Sequence, residues 1–344
     1  MRYMEPTSQE VRMRMNLVQR FKKLIASFNM DASIRPVGSY VTGLYLPTSD
    51  IDMVVTFQPG GYSSRLYLYT LIEKIRDSGF ASKVDNVLNA SIPLIRITDK
   101  ITGIQIDLTA ADTHAVKATE AVQKWLELSP PARPLLFVVK MLLSIRRCGT
   151  TYTGGINSYV LFWMIVAWVE LEMPKKRPMA NVDDDLSSFI TTFGELRMLK
   201  EENVATSSSS REGLDLGKLL IKFLGFYARF DCETNAIKIE PRPAYCTKTY
   251  PYSRYTVPRY LLSIYDPANT FIDMGSKAYG IKHIQASFDS AYWSLVNLEG
   301  KWKLGLPVGE AGILGSVLGG DYTKFLEKRR LAVAQFSNMR GDIY

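Results

Sequence analysis

Asp50 and Asp52 stand two residues apart at the start of Ile51–Phe57, a run rich in residues that favour β-strands. Successive side chains in a strand point to opposite faces, so the two carboxylates project together while Ile51 and Met53 face the core. Like charges crowded in this way are costly unless cations offset them, and hard divalent ions prefer oxygen ligands. The pair therefore predicts a sheet-bearing lobe with a cation-dependent site.

A third carboxylate, Asp107, and a glycine-serine pair make the pattern more specific. Asp107 alternates with Ile106 and Leu108, which must be buried, so its side chain points out of the sheet. Gly38-Ser39 ends eleven residues before the acidic pair, and backbone N–H groups and a hydroxyl at such a turn suit a phosphate. The acidic pair alone also fits a strand end with two solvated acids. Together, the three features favour a site for metal ions and phosphate.

Size and periodicity predict two lobes. A chain of 344 residues with 47% hydrophobic content is too long for one core. Apolar residues at steps of three and four predict an amphipathic helix over Ser8–Phe28 and another over Ser63–Asp77. Short strands are predicted at Ile51–Phe57, Ile92–Ile97 and 104–109. The first lobe, residues 1–118, is thus expected to carry helices around a small mixed sheet.

After residue 118 the pattern becomes mainly helical. Helical periodicities cover Glu120–Leu126, Arg133–Arg147, Ser158–Leu171 and Leu214–Phe226, separated by Pro, Gly or Ser clusters. The serine-rich stretch 206–210 is interpreted as a loop without chemistry of its own. The expected fold class is therefore α+β and bilobal, with a second domain over residues 119–344.

Charge and cysteine content indicate the kind of binding partner and the cellular compartment. The net charge of +8 suits a polyanion such as nucleic acid. Cys148, Cys232 and Cys246 are widely spaced, which predicts neither a disulfide framework nor a zinc site and favours an intracellular protein. The longest apolar run, Val160–Val169, is about half the length that spans a bilayer, so no membrane association is expected. Lys175–Arg177 fits a solvated loop better than a nuclear import signal.

Several segments together resemble the DNA polymerase β-like nucleotidyltransferases, and TGLYLPTSDIDMVV (42–55) is similar to the Trf-type noncanonical poly(A) polymerases in particular. The resemblance covers most of the chain. It continues through 92–96 with 106–107, 133–140, 152–159, 266–267, 273–275 and 278–280.

The resemblance implies a polymerase β-like nucleotidyltransferase lobe followed by a poly(A)-polymerase-type central domain with a nucleotide-recognition loop near 266–280. It implies addition of adenylates from ATP to RNA 3′ ends, with Mg²⁺ (or Mn²⁺) held by Asp50, Asp52 and Asp107. It also implies a nucleus-located enzyme that works with a zinc-knuckle RNA-binding protein. The residues it assigns to nucleotide binding are Gly38, Ser39, Lys140, Ser158, Tyr159, Asp266 and Asp273.

Some of the residues assigned to nucleotide binding also fit purely structural roles. Lys140 falls at the edge of an apolar helix, where its ammonium could meet a triphosphate or simply be solvated. Ser158 is expected to cap the next helix and offer N–H groups to a phosphate. Tyr159 fits a core tyrosine as well as a base-stacking one on spacing alone, and the resemblance favours stacking.

The chain departs from the family pattern at two places, and its histidines carry no predicted role. Ser144 replaces a second basic residue, a role left to Arg146 or Arg147. Ile272 replaces both the histidine common in Cid-type uridylyltransferases and the asparagine common in Trf-type enzymes, which favours adenylate without securing it. The two histidines, His114 and His283, are expected to be non-catalytic.

Three other functions stay open at this point. A terminal uridylyltransferase would use the same chemistry with another base. A nucleotidyltransferase for small molecules or proteins is disfavoured by the basic balance. An inactive RNA-binding scaffold is disfavoured because it has no use for three clustered carboxylates. No separate RNA-recognition pattern is visible in the sequence, so a partner that supplies RNA contacts is expected.

Overall fold

The structure is a computed structural model that describes residues 4–57, 64–89, 93–110, 113–173, 215–248, 258–307, 312–319 and 323–341. The α-helices are α1 (Ser8–Ser27), α2 (Ser39–Thr42), α3 (Ser64–Asp77), α4 (Thr113–Leu128), α5 (Ala132–Ile145), α6 (Ser158–Glu172), α7 (Leu216–Ala228), α8 (Ile281–Lys303), α9 (Gly312–Leu318) and α10 (Thr323–Gly341). Short 3₁₀ turns lie at Thr151–Thr153 and Met274–Lys277.

One mixed sheet holds the predicted acidic residues. Its strands are β1 (Ala32–Pro36), β2 (Ile51–Phe57), β3 (Ala81–Val87), β4 (Leu94–Asp99) and β5 (Gln105–Ala110). Their spatial order is β1-β2-β5-β4-β3, and β2 and β5 are parallel while the other pairs are antiparallel. The central pair is therefore the one that carries Asp52 and Asp107.

Two hairpins lie within the mainly helical part. The first joins β6 (Asn235–Lys238) to β7 (Ala244–Thr247), and the second joins β8 (Tyr265–Asp266) to β9 (Asn269–Asp273). Neither was predicted, because strands of two to five residues are too short to give a periodic signal.

The apolar side chains form two clusters. The first contains the inner faces of α1, α3 and the large sheet, with Leu17, Phe21 and Ile51 all fully buried. The second is built around α6, which is apolar on every face and is surrounded by α5, α7 and α8. Burying α6 on all sides accounts for its continuous apolar run without a membrane.

Helix α10 returns to the first cluster. Phe336 is buried among the side chains of the sheet lobe, and Arg329 of α10 donates two hydrogen bonds, of 2.6 and 2.7 Å, to the buried Glu10 of α1. Glu10 also forms a reciprocal capping pair with Thr7 at the start of α1. The boundary at residues 118 and 119 stays a prediction, and the last helix adds side chains to the core that precedes it.

The α+β, bilobal fold class is confirmed. The predicted helix over Ser8–Phe28 and the strand Ile51–Phe57 match α1 and β2, and the strand predicted from residue 92 appears as β4, two residues later. Serines 206–210 and Lys175–Arg177 lie outside the described residues. Within the described part of the chain no single helix is long and apolar enough to cross a membrane; one pair, His114–Leu128 with Ala132–Ile145, passes that test jointly but is bent by 117°.

Candidate active site

The register of the two central strands brings the predicted carboxylates together. Asp52 of β2 lies directly beside Asp107 of β5, and Asp50 immediately precedes β2. Residues paired across neighbouring strands point to the same face, so the three side chains share one face of the sheet. The neighbours Ile51, Met53 and Ile106 are completely buried on the other face.

Gly38 lies against this acidic group. Its φ of +65° is in the left-handed region, and a Cβ at this position would stand 2.9 Å from the Oδ2 atom of Asp52. The Gly38 N–H donates a 2.8 Å hydrogen bond to Oγ1 of Thr119 on α4. Glycine is therefore required here by backbone conformation and by the approach of the carboxylate. Ser39 begins the single-turn helix α2 beside it.

The acids are electrostatically crowded. Burial, together with the charges of Asp50 and Asp107, raises the pKa of Asp52 to about 7. Burial and Asp107 also raise the pKa of Asp50. Lys140 opposes both shifts, and burial lowers its own pKa. Within the described residues, no hydrogen-bond donor reaches the half-buried Asp52 carboxylate, so Lys140 is the cation that offsets its charge.

Arg96 is a site residue that the analysis of side-chain types did not single out. It lies on β4 opposite Asp107, and its Nε and a terminal nitrogen donate hydrogen bonds of 2.9 and 2.8 Å to the two oxygens of Asp107. This bidentate ion pair raises the pKa of Arg96. Arg96 alternates with the buried Ile95 and Ile97, and that alternation placed it on the face of Asp107.

Arg14 is a second residue that was missed. It is fully buried on α1, and one terminal nitrogen donates to the carbonyl oxygens of Pro47 and Ser49 in the loop that leads into Asp50. Its guanidinium also lies 4.8 Å from the ring centre of Tyr45. The sequence signal that could have revealed Arg14 is its position on the apolar face of an amphipathic helix. A charged side chain on such a face is buried only when it has polar partners.

A cleft beside the acids contains two of the predicted phosphate-binding residues, Lys140 and Ser158, but neither Gly38 nor Ser39. Lys140 and Ser158 line it together with Arg147, Thr150 and Thr153. Arg147 has a φ of +55°, a conformation uncommon for a residue with a side chain. Of the two arginines predicted to replace a basic residue at position 144, Arg147 is the one that lines this cleft with Ser144.

One prediction about this cleft was wrong. The helix α6 is capped by Asn157, whose Oδ1 accepts a 2.9 Å hydrogen bond from the Val160 N–H, and Ser158 is the first residue of the helix. Asparagine is as good an N-cap as serine, and the helix therefore begins one residue earlier than predicted.

Tyr159 is held from two sides. Its hydroxyl donates a 2.8 Å hydrogen bond to Oδ1 of Asp266, and its ring packs edge-on against Trp163 with the centroids 5.9 Å apart. Oδ2 of Asp266 lies 2.7 Å from Nε2 of His114. The sequence predicted no role for His114, because the 152 residues that separate it from Asp266 leave no local pattern.

Asp273 organises its own loop. Its Oδ1 accepts hydrogen bonds from the backbone N–H groups of Ile264 and Gly275, at 3.0 and 2.9 Å, and its Oδ2 accepts from Ser263 at 2.8 Å. These bonds engage both oxygens, so the contribution of Asp273 is to fix the 266–275 loop. A direct contact between Asp273 and a nucleotide stays a prediction.

The donor chemistry of the site fits a hard divalent cation at Asp50 and Asp52, whose raised pKa values express unneutralised crowding. Asp107 differs, since both of its oxygens are bonded to Arg96. Accordingly, the described residues contain no ready-made group of three acid, imidazole or thiol ligands. For Asp107 to serve as a third ligand, it must share or leave the Arg96 guanidinium.

The fold is that of the polymerase β-like nucleotidyltransferases. The family model "Poly(A) RNA polymerase, mitochondrial-like, central palm domain" matches residues 1–127, and "Cid1 family poly A polymerase" matches residues 215–270. The structure published as "Structure and function of the polymerase core of TRAMP, a RNA surveillance complex" is similar with a TM-score of 0.72 and 26% identity, over 92% of this chain and 91% of that one.

Among sequence relatives, Poly(A) RNA polymerase protein 2 of Saccharomyces cerevisiae is 26% identical over 86% of this chain and 46% of its own length. The inactive non-canonical poly(A) RNA polymerase protein Trf4-2 of Drosophila melanogaster is also 26% identical, over 86% of this chain and 66% of its own length. The chain is similar to noncanonical poly(A) RNA polymerases of the Trf4 and Cid14 type, at 25 to 26% identity. It spans about half the length of the first of these relatives.

Proposed function

We propose that the chain is a template-independent RNA 3′-terminal nucleotidyltransferase that adds adenylates from ATP. The observation that carries the proposal is the placement of Asp50, Asp52 and Asp107 on one face of the sheet, beside a cleft lined by Lys140 and Arg147. Crowded acids next to a basic cleft match a reaction in which metal ions and a triphosphate meet.

In the proposed reaction the RNA 3′-hydroxyl attacks the α-phosphorus of ATP. A phosphodiester bond forms, and the bond between the α-phosphorus and pyrophosphate breaks. Lys140 and Arg147 hold the triphosphate by charge, and we assign the hydroxyl of Ser39, on α2, to the same group. Asp107 accepts the proton of the attacking hydroxyl, so it must be freed from Arg96 as the site fills.

Asp50 and Asp52 would hold two Mg²⁺ ions, with Asp107 as a ligand of one. Bound ions would activate the hydroxyl and neutralise the charge on the departing pyrophosphate. Burial sharpens this requirement, because burial and the neighbouring carboxylates raise the pKa of both Asp50 and Asp52 and so disfavour their charged forms. Mn²⁺ has similar ligand preferences and is the alternative ion.

We assign base stacking to Tyr159 and base selection to the 266–275 loop. Stacking accepts every base, so the choice between adenine and uracil must come from polar groups. Ile272 is 40% exposed at this loop and has no polar atom to offer, in contrast to the histidine of Cid-type uridylyltransferases. This difference favours ATP, and a terminal uridylyltransferase is the second candidate.

A likeness to an inactive relative makes catalysis the point to test. Extension of a labelled oligoribonucleotide with each of the four NTPs separately, in Mg²⁺, is the direct assay, with Asp52→Ala as the negative control. Extension by the wild type with ATP alone or preferentially is expected. Equal or better use of UTP would move the proposal to uridylyl transfer, and absence of extension with every NTP would contradict it.

We further propose that the RNA is held largely with the help of a second protein, of the zinc-knuckle type suggested by the family. The clefts of the described residues offer scattered cations such as Arg147 and Lys117 and no continuous basic groove. Addition of a candidate partner should lengthen the tails made per binding event, whereas unchanged tail lengths would contradict this part of the proposal.

A further inference from the structure

Asp266 joins three separate parts of the chain. Its side chain is 1% exposed, and its oxygens meet the Tyr159 hydroxyl of α6, the Ala268 N–H of its own hairpin and Nε2 of His114 on α4. The three distances are 2.8, 2.8 and 2.7 Å. A carboxylate buried to this degree needs such donors, so each of them contributes to its position.

The chemistry fixes which atom carries the hydrogen. An ionised carboxylate only accepts hydrogen bonds, so Nε2 of His114 must be protonated in this contact whether the ring is neutral or charged. Tyr159 and Ala268 donate to Oδ1, which leaves Oδ2 to the histidine. The imidazole is therefore the side-chain partner that anchors the second oxygen.

His114 connects this contact to the acidic site. It follows Asp107 by seven residues, on the first turn of the helix that comes directly after β5. The same helix carries Thr119, which accepts the hydrogen bond from Gly38. A movement of α4 would thus be felt both at the carboxylates and, through Asp266, at the Tyr159 ring.

We propose that His114 is a positioning residue for the incoming nucleotide: through Asp266 it sets the orientation of Tyr159 and so determines how tightly and how selectively the base is held. This inference rests on the proposed function, in which Tyr159 stacks on the base. His114, which was expected to be non-catalytic, thereby gains a role in nucleotide binding. Base binding then depends on a contact between α4 and the β8–β9 hairpin.

The test compares His114→Ala and His114→Gln with His283→Ala, which removes the other histidine, an exposed residue of α8. Steady-state extension is measured at saturating RNA. His114→Ala is expected to raise KM for ATP about tenfold, the effect of one buried hydrogen bond, and to change the ratio of ATP to UTP use. The value of kcat should change by less than about threefold. The glutamine, which keeps an N–H donor, should restore most of the affinity, and His283→Ala should behave as wild type.

A double-mutant cycle tests the route through the tyrosine. In a Tyr159→Phe background, which already lacks the hydroxyl bond to Asp266, His114→Ala should cost clearly less affinity than in the wild type. Additive effects would contradict the route. The proposal would be overturned if His114→Ala left KM for ATP and base preference unchanged. It would also be overturned if loss of folded protein explained the whole effect and His114→Gln did not reverse it.

Calorimetric binding of ATP without RNA separates this inference from the proposed function. If the wild type extends no RNA but binds ATP about tenfold more tightly than His114→Ala, the assignment of His114 stands and the proposed reaction falls. If the wild type binds no ATP, both are wrong.

Discussion

The backbone of Gly38 lies so close to the carboxylate of Asp52 that no methyl group would fit between them. A Cβ at residue 38 would lie 2.9 Å from Oδ2 of Asp52. Gly38→Ala is therefore expected to displace the carboxylate and to lower kcat by about a hundredfold, since a shift of about 1 Å at reacting groups has effects of that size. Single-turnover extension with ATP measures it.

Gly79 provides the matched control for that substitution. Its φ of +68° is nearly the same as the +65° of Gly38, but a Cβ there would meet no atom within 4 Å. Gly79→Ala should lose about 1 kcal/mol of stability from its positive φ, and Gly38→Ala should lose more, because its ψ of −142° lies outside the left-handed helical region. Only Gly38→Ala should lose activity, and similar losses in both variants would show that backbone strain rather than the approach to Asp52 is responsible.

Asp52→Asn is expected to abolish extension and to stabilise the metal-free protein. The substitution removes one of three crowded charges, so the melting temperature should rise by roughly 2 °C or more, while activity falls by about a thousandfold. Adding Mg²⁺ should raise the melting temperature of the wild type and have a smaller effect on Asp52→Asn. Scanning calorimetry with EDTA and with Mg²⁺ measures both; substantial extension by Asp52→Asn would contradict the metal assignment.

Lys140→Ala should weaken ATP binding because the ammonium that faces both Asp50 and Asp52 is lost from the phosphate cleft. An increase in KM for ATP of roughly tenfold to a hundredfold is expected from one lost charge-assisted contact. Lys124→Ala, at an exposed lysine of α4 that lies 3.9 Å from Glu240, is the control and should leave KM unchanged. A fall in kcat alone would place Lys140 in the chemical step instead.

Arg329→Ala should destabilise the protein by about 3 kcal/mol, because the carboxylate of Glu10 would be left buried without its main partner. The pair Lys303–Glu299, whose lysine is exposed, gives the comparison, and Lys303→Ala should cost less than about 0.5 kcal/mol. Urea denaturation of both variants measures the difference. Equal, small losses would show that α10 is only loosely held to α1.

The same ion pair predicts a pH dependence. Burial raises the pKa of Glu10, but hydrogen bonds from Arg329 and Thr7 outweigh it and leave the pKa below its ordinary value of 4.5. The resulting stability is present above pH 4.5 and is lost as the pH falls through the lowered pKa. The stability advantage of the wild type over Glu10→Gln should therefore shrink below about pH 4.5, and an advantage that grew on acidification would contradict this pairing.

RNA binding by the isolated chain should be salt-sensitive and extension should be distributive. If a few exposed cations such as Arg146 neutralise RNA phosphates, the affinity for RNA should fall by roughly tenfold or more between low and physiological salt. Filter binding at several salt concentrations measures the slope, and charge reversal at Arg146 should reduce it. Processive synthesis of long tails at physiological salt without a partner would show that a further RNA-holding surface exists.

The spacing of apolar residues along the sequence predicted the faces of the strands and the positions of helices, because these depend on neighbouring residues. The alternation around Asp52 and Asp107 gave the correct face of each strand, and the three-and-four spacing gave α1 and α5. The parallel pairing of β2 with β5, which makes the acids neighbours, depends on strands 55 residues apart, and no single-strand pattern contains it.

Polar partners were the features that sequence could not supply. Arg14 and His114 each act through a contact with a distant segment, and an isolated charged residue is more often solvated than paired. Ser158 shows the opposite error, because two suitable capping residues stood side by side and the asparagine took the position.

The union of α10 with α1 has a consequence for the order of events during synthesis. Glu10 and Arg329 are separated by 319 residues, and Phe336 completes the same core as Phe21. At about 5 to 20 residues per second, a ribosome completes α10 tens of seconds after α1. The core of the sheet lobe therefore lacks α10 while the helical lobe is being translated. During that interval the surface that α10 later covers is open to chaperones, and a nascent chain stalled before residue 323 should remain protease-sensitive at α1.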